Sequence, residues 1–177
     1  MEFRYEVKIP KARVAVFLGV KGSIKKRIEK ELDIKIDVNS DTGDIALAGD
    51  DSLKLIIGQS IARAIGRGFN PLDALDLLND DAIFESLDIA HYVGNKKNRI
   101  ITARARAIGS EGTARKYIEE LTDTKIAVYG KTISIIGNYE TAELARKSFE
   151  SLLSGQRHST VYAWLEKKKK EMKVSMY

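Results

Sequence analysis

The 177-residue chain carries 30 Lys and Arg against 25 Asp and Glu, a net charge of +5, and its 44% hydrophobic residues suffice for one domain or two small ones. It has no cysteine, which excludes disulfides, thiolate metal sites and a cysteine nucleophile. No apolar run approaches the roughly 20 residues that cross a bilayer, and the amino terminus, MEFRYEVK, is charged where a signal peptide turns apolar, so a cytoplasmic protein without a membrane partner is expected.

Phe3, Tyr5, Val7 and Ile9 alternate with Arg4, Glu6 and Lys8, the period of a half-buried strand, and Pro10 ends it. Residues 11–18 are short, apolar and compatible with a helix that stops at Gly19. Ser23 opens a second helix, with Ile24, Ile28 and Leu32 four apart on one face and charged residues on the other. Ile34, Ile36 and Val38 form a strand, NSDTGD turns the chain, and residues 45–48 return as its antiparallel partner. Residues 52–66 are a long amphipathic helix, and residues 67–80 read as a loop and a short helix starting near Pro71.

The order then repeats. Residues 84–93 read as a strand, 97–108 as a helix, GSEG at 109–112 as a second glycine-bounded turn, and 113–121 as a helix. Residues 124–129 and 132–136 make a hairpin around Gly130 and Lys131, and 139–153 close the unit as a helix. Gly19, Gly22, Ile28, Lys35, Ile36 and Val38 recur 90 positions later as Gly109, Gly112, Ile118, Lys125, Ile126 and Val128, so a duplicated unit is the economical explanation. The expected segments are 1–68, a linker at 69–81, 82–155 and a basic, partly helical tail at 156–177. In that tail Tyr162, Trp164 and Leu165 pack, with mobility expected beyond about Glu171.

Charge is uneven. Residues 91–177 hold 17 basic against 9 acidic side chains, and the remaining excess gathers in residues 4–35. Such clusters suit a polyanion, since each phosphate contact releases counterions. Between Gly19 and Gly22 the backbone can approach a sugar-phosphate chain closely, and the following helix offers unpaired N–H groups and its positive end. The expected RNA-binding residues are therefore Gly19, Val20, Lys21, Gly22 and Ser23 in the turn. Lys25, Lys26 and Arg13 border the path, and Ile24, Ile28 and Ile36 are either groove floor or general core. The second copy offers Gly109, Ser110 and Gly112, with Arg104, Arg106, Arg115 and Lys116 nearby. Its Glu111 stands where the first copy has Lys21 and repels phosphate. That copy either binds RNA weakly or acts as a scaffold.

A GxxG turn between two helices, inside a βααββα unit, resembles the type I KH domain, here twice over nearly all of residues 3–155. The resemblance implies an α+β fold of two tandem KH domains, each a three-stranded antiparallel sheet with helices on one face. It also implies a groove for about four unpaired nucleotides. The stretches GRGFNPLDALDLL, LDIAHYVG and SGQRHSTVYAWL further resemble the archaeal form of the partner-of-Nob-one proteins, two-KH factors of small-ribosomal-subunit assembly. That likeness implies single-stranded RNA near the 3′ end of small-subunit rRNA as ligand, with a PIN-domain endonuclease as partner. A translation initiation factor is a further partner, since the same rRNA end meets messenger at initiation. A KH-fold scaffold docking one of these proteins remains the alternative.

Enzyme chemistry finds little support. GKT at 130–132 lacks the upstream glycine of a phosphate-binding loop, because position 125 is lysine. His91 and His158 lack neighbours at metal-ligand spacing, and helix capping accounts for Asp50-Asp51 and Asp80-Asp81. Neither cofactor, metal nor catalytic residue is expected.

Overall fold

Alternate burial along the first strand is what a sheet with one covered face requires. In the computed structural model, which describes residues 1–177, β1 (Phe3–Lys8) half-buries Phe3, Tyr5 and Val7 and exposes the charged residues between them. Two helices follow, α1 (Lys11–Leu18) and α2 (Ser23–Leu32), then β2 (Lys35–Val38), β3 (Asp44–Gly49) and α3 (Ser52–Gly66). The sheet order is β1-β3-β2, antiparallel throughout, with Leu47 opposite both Tyr5 and Ile36. Leu47, Ile45, Phe17, Ile28, Leu55, Ile61 and Ile65 are wholly or almost wholly buried and form the core of this unit, Met1–Asp80. Asp51 caps α3 by accepting from the N–H groups of Leu53 and Lys54.

The segment expected as a linker belongs to this unit. Pro71–Ala74 forms α4, capped by Asn70, and a 3₁₀ turn continues it through Leu78. Phe69, Ala74, Leu75 and Leu77 are buried, and both pieces pack on α3. Asp80 and Asp81 cap no helix, contrary to expectation: a turn and then a strand follow them.

The second unit, Asp81–Tyr177, begins with β4 (Ala82–Asp88). The strand expected over 84–93 stops at Asp88 because that side chain accepts from Ala90 N–H and starts α5 (Ile89–Val93), which Gly94 ends at φ 85°. There follow α6 (Lys97–Ile108), α7 (Thr113–Thr122), β5 (Lys125–Tyr129), β6 (Thr132–Asn138) and α8 (Tyr139–Leu153). The sheet is again antiparallel, in the order β4-β6-β5. Its hairpin turns in two residues, Gly130 and Lys131, where the first unit uses residues 39–43.

The tail is a single helix, α9 (His158–Ser175), and extends past Glu171, where mobility was expected. Val161 and Leu165 join Phe149, Leu152 and Ile118 in the core of the unit, so α9 seals α7 and α8. Removing a buried aromatic such as Phe149 costs about 3–5 kcal/mol in cores of this kind. No helix is long and apolar enough to cross a membrane.

Candidate nucleic-acid interface

The two glycine turns share one backbone. Gly19 (φ 72°, ψ 178°) ends α1, Lys21 takes a left-handed conformation (53°, 31°), and Gly22 (73°, 18°) opens α2. Gly109 (75°, 170°), Glu111 (55°, 25°) and Gly112 (75°, 17°) repeat this between α6 and α7. The two glycines of a turn serve different ends. A Cβ on Gly19 would lie 2.5 Å from Ile24 Cγ1 and 2.9 Å from Ile24 N, so its missing side chain lets α2 fold in tightly. Around Gly22 the nearest atom to such a Cβ would be Lys26 Cε at 3.9 Å. The open backbone therefore sits at the second glycine, not along the whole turn. Gly109 and Gly112 divide the work in the same way: a Cβ on the first would lie 2.7 Å from Ala114 N, and one on the second would meet only side-chain tips, at 3.7 Å.

No side chain caps α2 or α7, unlike α3 and α8, which Asp51 and Asn138 cap; the N–H groups of Gly22 and Ser23 bond within the turn to Gly19 O and Val20 O, and those of Gly112 and Thr113 to Gly109 O and Ser110 O. In the first unit Val20 is 81% exposed at the tip. Lys21, Ser23 and Lys26 are exposed around it, while Gly22, Ile24 and Lys25 are half-buried. Lys21, Lys25 and Lys26 carry no ion pair. Ile28 and Ile36 are core, leaving Ile24 at the mouth.

Two of the four arginines expected near the turns, Arg13 and Arg106, have other work. Arg13 donates from Nε to Ile65 O and from Nη2 to Phe69 O, each at 2.8 Å, satisfying carbonyls at the end of α3. Arg106 donates to Leu152 O at 2.6 Å and Gln156 O at 2.7 Å at the end of α8. His158 Nε2 lies 2.8 Å from the Arg106 carbonyl, which gives that histidine a structural role. After the second turn, Arg115 Nη1 pairs with Glu119 at 2.9 Å, and Lys116 donates to the Glu111 carbonyl at 3.4 Å. Ser110 is exposed and Arg104 half-buried. No group of three or more His, Asp or Glu side chains comes together that could hold a metal ion.

Two carboxylates escaped the sequence reading. Glu29 Oε1 accepts from Ile36 N–H at 2.8 Å, and Glu119 Oε1 accepts from Ile126 N–H at 2.8 Å. Each joins the second helix of its unit to the outer edge of an edge strand. Their recurrence 90 residues apart, each seven residues before its strand partner, was the available signal.

A family model for the second domain of PNO1, described as the eukaryotic-type KH domain (type I), matches residues 83–170. A KH domain-containing protein of Methanocaldococcus jannaschii is 42% identical over 97% of this chain and 76% of its own length. A pre-rRNA-processing protein PNO1 of Phaeosphaeria nodorum is 26% identical over 92% of this chain, which spans 65% of that longer protein. Among solved structures, an a/eIF2alpha-aDim2p-rRNA complex from Pyrococcus horikoshii contains a chain 38% identical, with a TM-score of 0.90 over 96% of both chains. Topology, glycine turns and relatives agree, and the chain belongs to the PNO1 type of KH-domain proteins.

Proposed function

We propose that the protein is an RNA-binding, non-catalytic factor of small-ribosomal-subunit biogenesis, built from two tandem type I KH domains and acting in the cytoplasm. The first holds single-stranded rRNA near the 3′ end of the small-subunit RNA. Phosphates lie on Val20–Ser23 and the start of α2, with Lys21, Lys25 and Lys26 around them. The observation that carries this reading is the open backbone at Gly22, beside an uncapped helix start and three lysines without carboxylate partners. Support for the first unit as a KH domain comes from its element order and turn dihedrals, which repeat those of the unit that the family model matches. The rRNA in the complex of the similar Pyrococcus chain and the pre-rRNA-processing name of the Phaeosphaeria relative support the ligand. A translation initiation factor and the PIN-domain endonuclease that trims the rRNA end are the protein partners; the a/eIF2alpha in that complex supports the former.

The second unit favours a scaffold role, because its turn carries Glu111 while Arg106, Arg115 and Lys116 beside it are bonded within the unit. The test is crosslinking to cellular RNA with position mapping, on wild type and on Val20→Asp/Lys21→Asp. These two positions are exposed, whereas an aspartate at Gly19 would collide with Ile24 and confound the result. Reads concentrated on the end of small-subunit precursor in wild type, lost in the folded variant, are expected. An undiminished signal in the variant defeats the assignment to the first turn. A matched pulldown should keep its protein partner with either form.

A further inference from the structure

We propose that the outer face of α9 is a second RNA-binding surface, which holds backbone phosphates outside the first groove without regard to base; it goes beyond the reading of that groove. Residues 166–173 carry five lysines against two glutamates. Lys167, Lys170 and Lys173 stand three apart, which puts them on one face of the helix, and all three are exposed. At about 1.5 Å of rise per residue they form a ridge about 9 Å long. Val161 and Leu165 on the other side of α9 are buried in the core, so a fixed helix carries the ridge, not a loose arm.

Neither glutamate neutralises this ridge. Glu166 precedes Lys170 by four residues, the spacing at which an ion pair supports a helix, but it accepts from Tyr117 OH instead. Glu171 pairs with Lys168 Nζ at 3.2 Å, off the ridge. Lys167, Lys170 and Lys173 make no ion pair or hydrogen bond. Like charges at this spacing oppose helix formation. The negative end of the helix dipole offsets only Lys173, the one lysine in the last turn. A line of phosphates against the ridge would turn the repulsion into attraction.

The surroundings of the ridge select among the anionic ligands that take a basic helix. A helix that lies on a membrane needs a free apolar face, and the apolar stripe of α9 is used in the core. Protein interfaces are depleted in lysine and enriched in arginine and aromatic residues, and residues 167–173 hold neither arginine nor an aromatic residue. Lysine meets a phosphate as a mobile point charge and reads no base. The RNA backbone is the ligand that fits.

The experiment titrates the full chain into labelled random-sequence RNA, about five times longer than the segment of about four nucleotides that a KH groove holds, over a series of salt concentrations. Lys167→Ala/Lys170→Ala/Lys173→Ala keeps the helix, since alanine is the best helix former, and a thermal melt verifies the fold. Losing three phosphate contacts should lower the slope of log affinity against log salt by about 2, so that between about 50 and 200 mM salt the variant weakens about sixteenfold less than wild type. Glutamine at the three positions should match alanine, and arginine should retain the wild-type slope. The proposal is overturned if the alanines leave the slope unchanged or if arginine fails to retain it. It is also overturned if the alanines weaken binding to phosphatidylserine vesicles or to polyglutamate more than binding to RNA, which would assign the ridge to lipid or to an acidic protein. Absence of RNA binding by wild type overturns the proposal together with the reading of the first groove. An unchanged slope in the alanine variant, with affinity lost in Val20→Asp/Lys21→Asp, overturns the proposal alone.

Discussion

Lys21 and Glu111 occupy the same left-handed position in turns whose dihedrals nearly coincide, yet they bear opposite charges. In the first unit the lysines around the turn are unpaired. In the second, Arg106 caps α8, Arg115 pairs with Glu119 and Lys116 bonds back to the turn. Backbone geometry and charge are thus separable: the turn is fixed by glycine sterics, while the tip side chain sets the sign of the charge it presents.

That separation can be broken from several sides. The largest effect is expected at Gly19, where alanine meets both a glycine-only backbone conformation and Ile24. It should lower stability by about 3 kcal/mol in urea unfolding, whereas alanine at Gly22 costs only about 1 kcal/mol; equal losses would refute the division of labour between the two glycines. Next comes Arg106→Ala, which strips two carbonyls of a charged donor and should cost about 2 kcal/mol. Arg13→Ala should behave alike, and neither should change the salt dependence of RNA binding once folding is accounted for. A slope reduced by about one would return that arginine to the phosphate path.

Glu111→Lys gives the second turn the charge of the first. RNA affinity should rise about fivefold, with a salt slope steeper by about one, and no change would mean the second groove does not receive RNA. The smallest effect lies at alkaline pH. The hydrogen bond from Tyr117 to Glu166, with some burial, pushes the phenol from 10.0 up to about 12. An unfolded tyrosine ionises at the lower value, so the contribution is complete below pH 10 and is lost as pH rises through 12. Thermal melts of Tyr117→Phe should lack that part of the decline; indistinguishable alkaline profiles would remove the bond from the account.

Much of this was legible because duplication shows every local rule twice. The paired glycines, the four-spaced isoleucines and the alternating strands placed α2, α3 and α8 within a residue or two. Misread segments depended on partners distant along the chain or on one capping side chain. Asp88 cuts the fourth strand short with a bond to Ala90 that competes with a favourable β pattern. Arg13 and Arg106 find their carbonyls 52 and 46 residues away, so charge alone suggested phosphate. The buried stripe Val161 and Leu165 in α9 was masked by the lysines that follow, which suggest solvent. Glu29 was hidden for the opposite reason: on a charged helix face only its recurrence as Glu119 marks the one carboxylate that reaches a strand.

The position of α9 in the chain has a consequence for synthesis. Val161 and Leu165, which complete the core around Phe149, are made after every other buried member of that core, whereas everything packed in Met1–Asp80 precedes them. During translation the amino-terminal half can close while the other still lacks its final wedge. A chain interrupted before Val161 would leave an intact first unit joined to an unsealed second one.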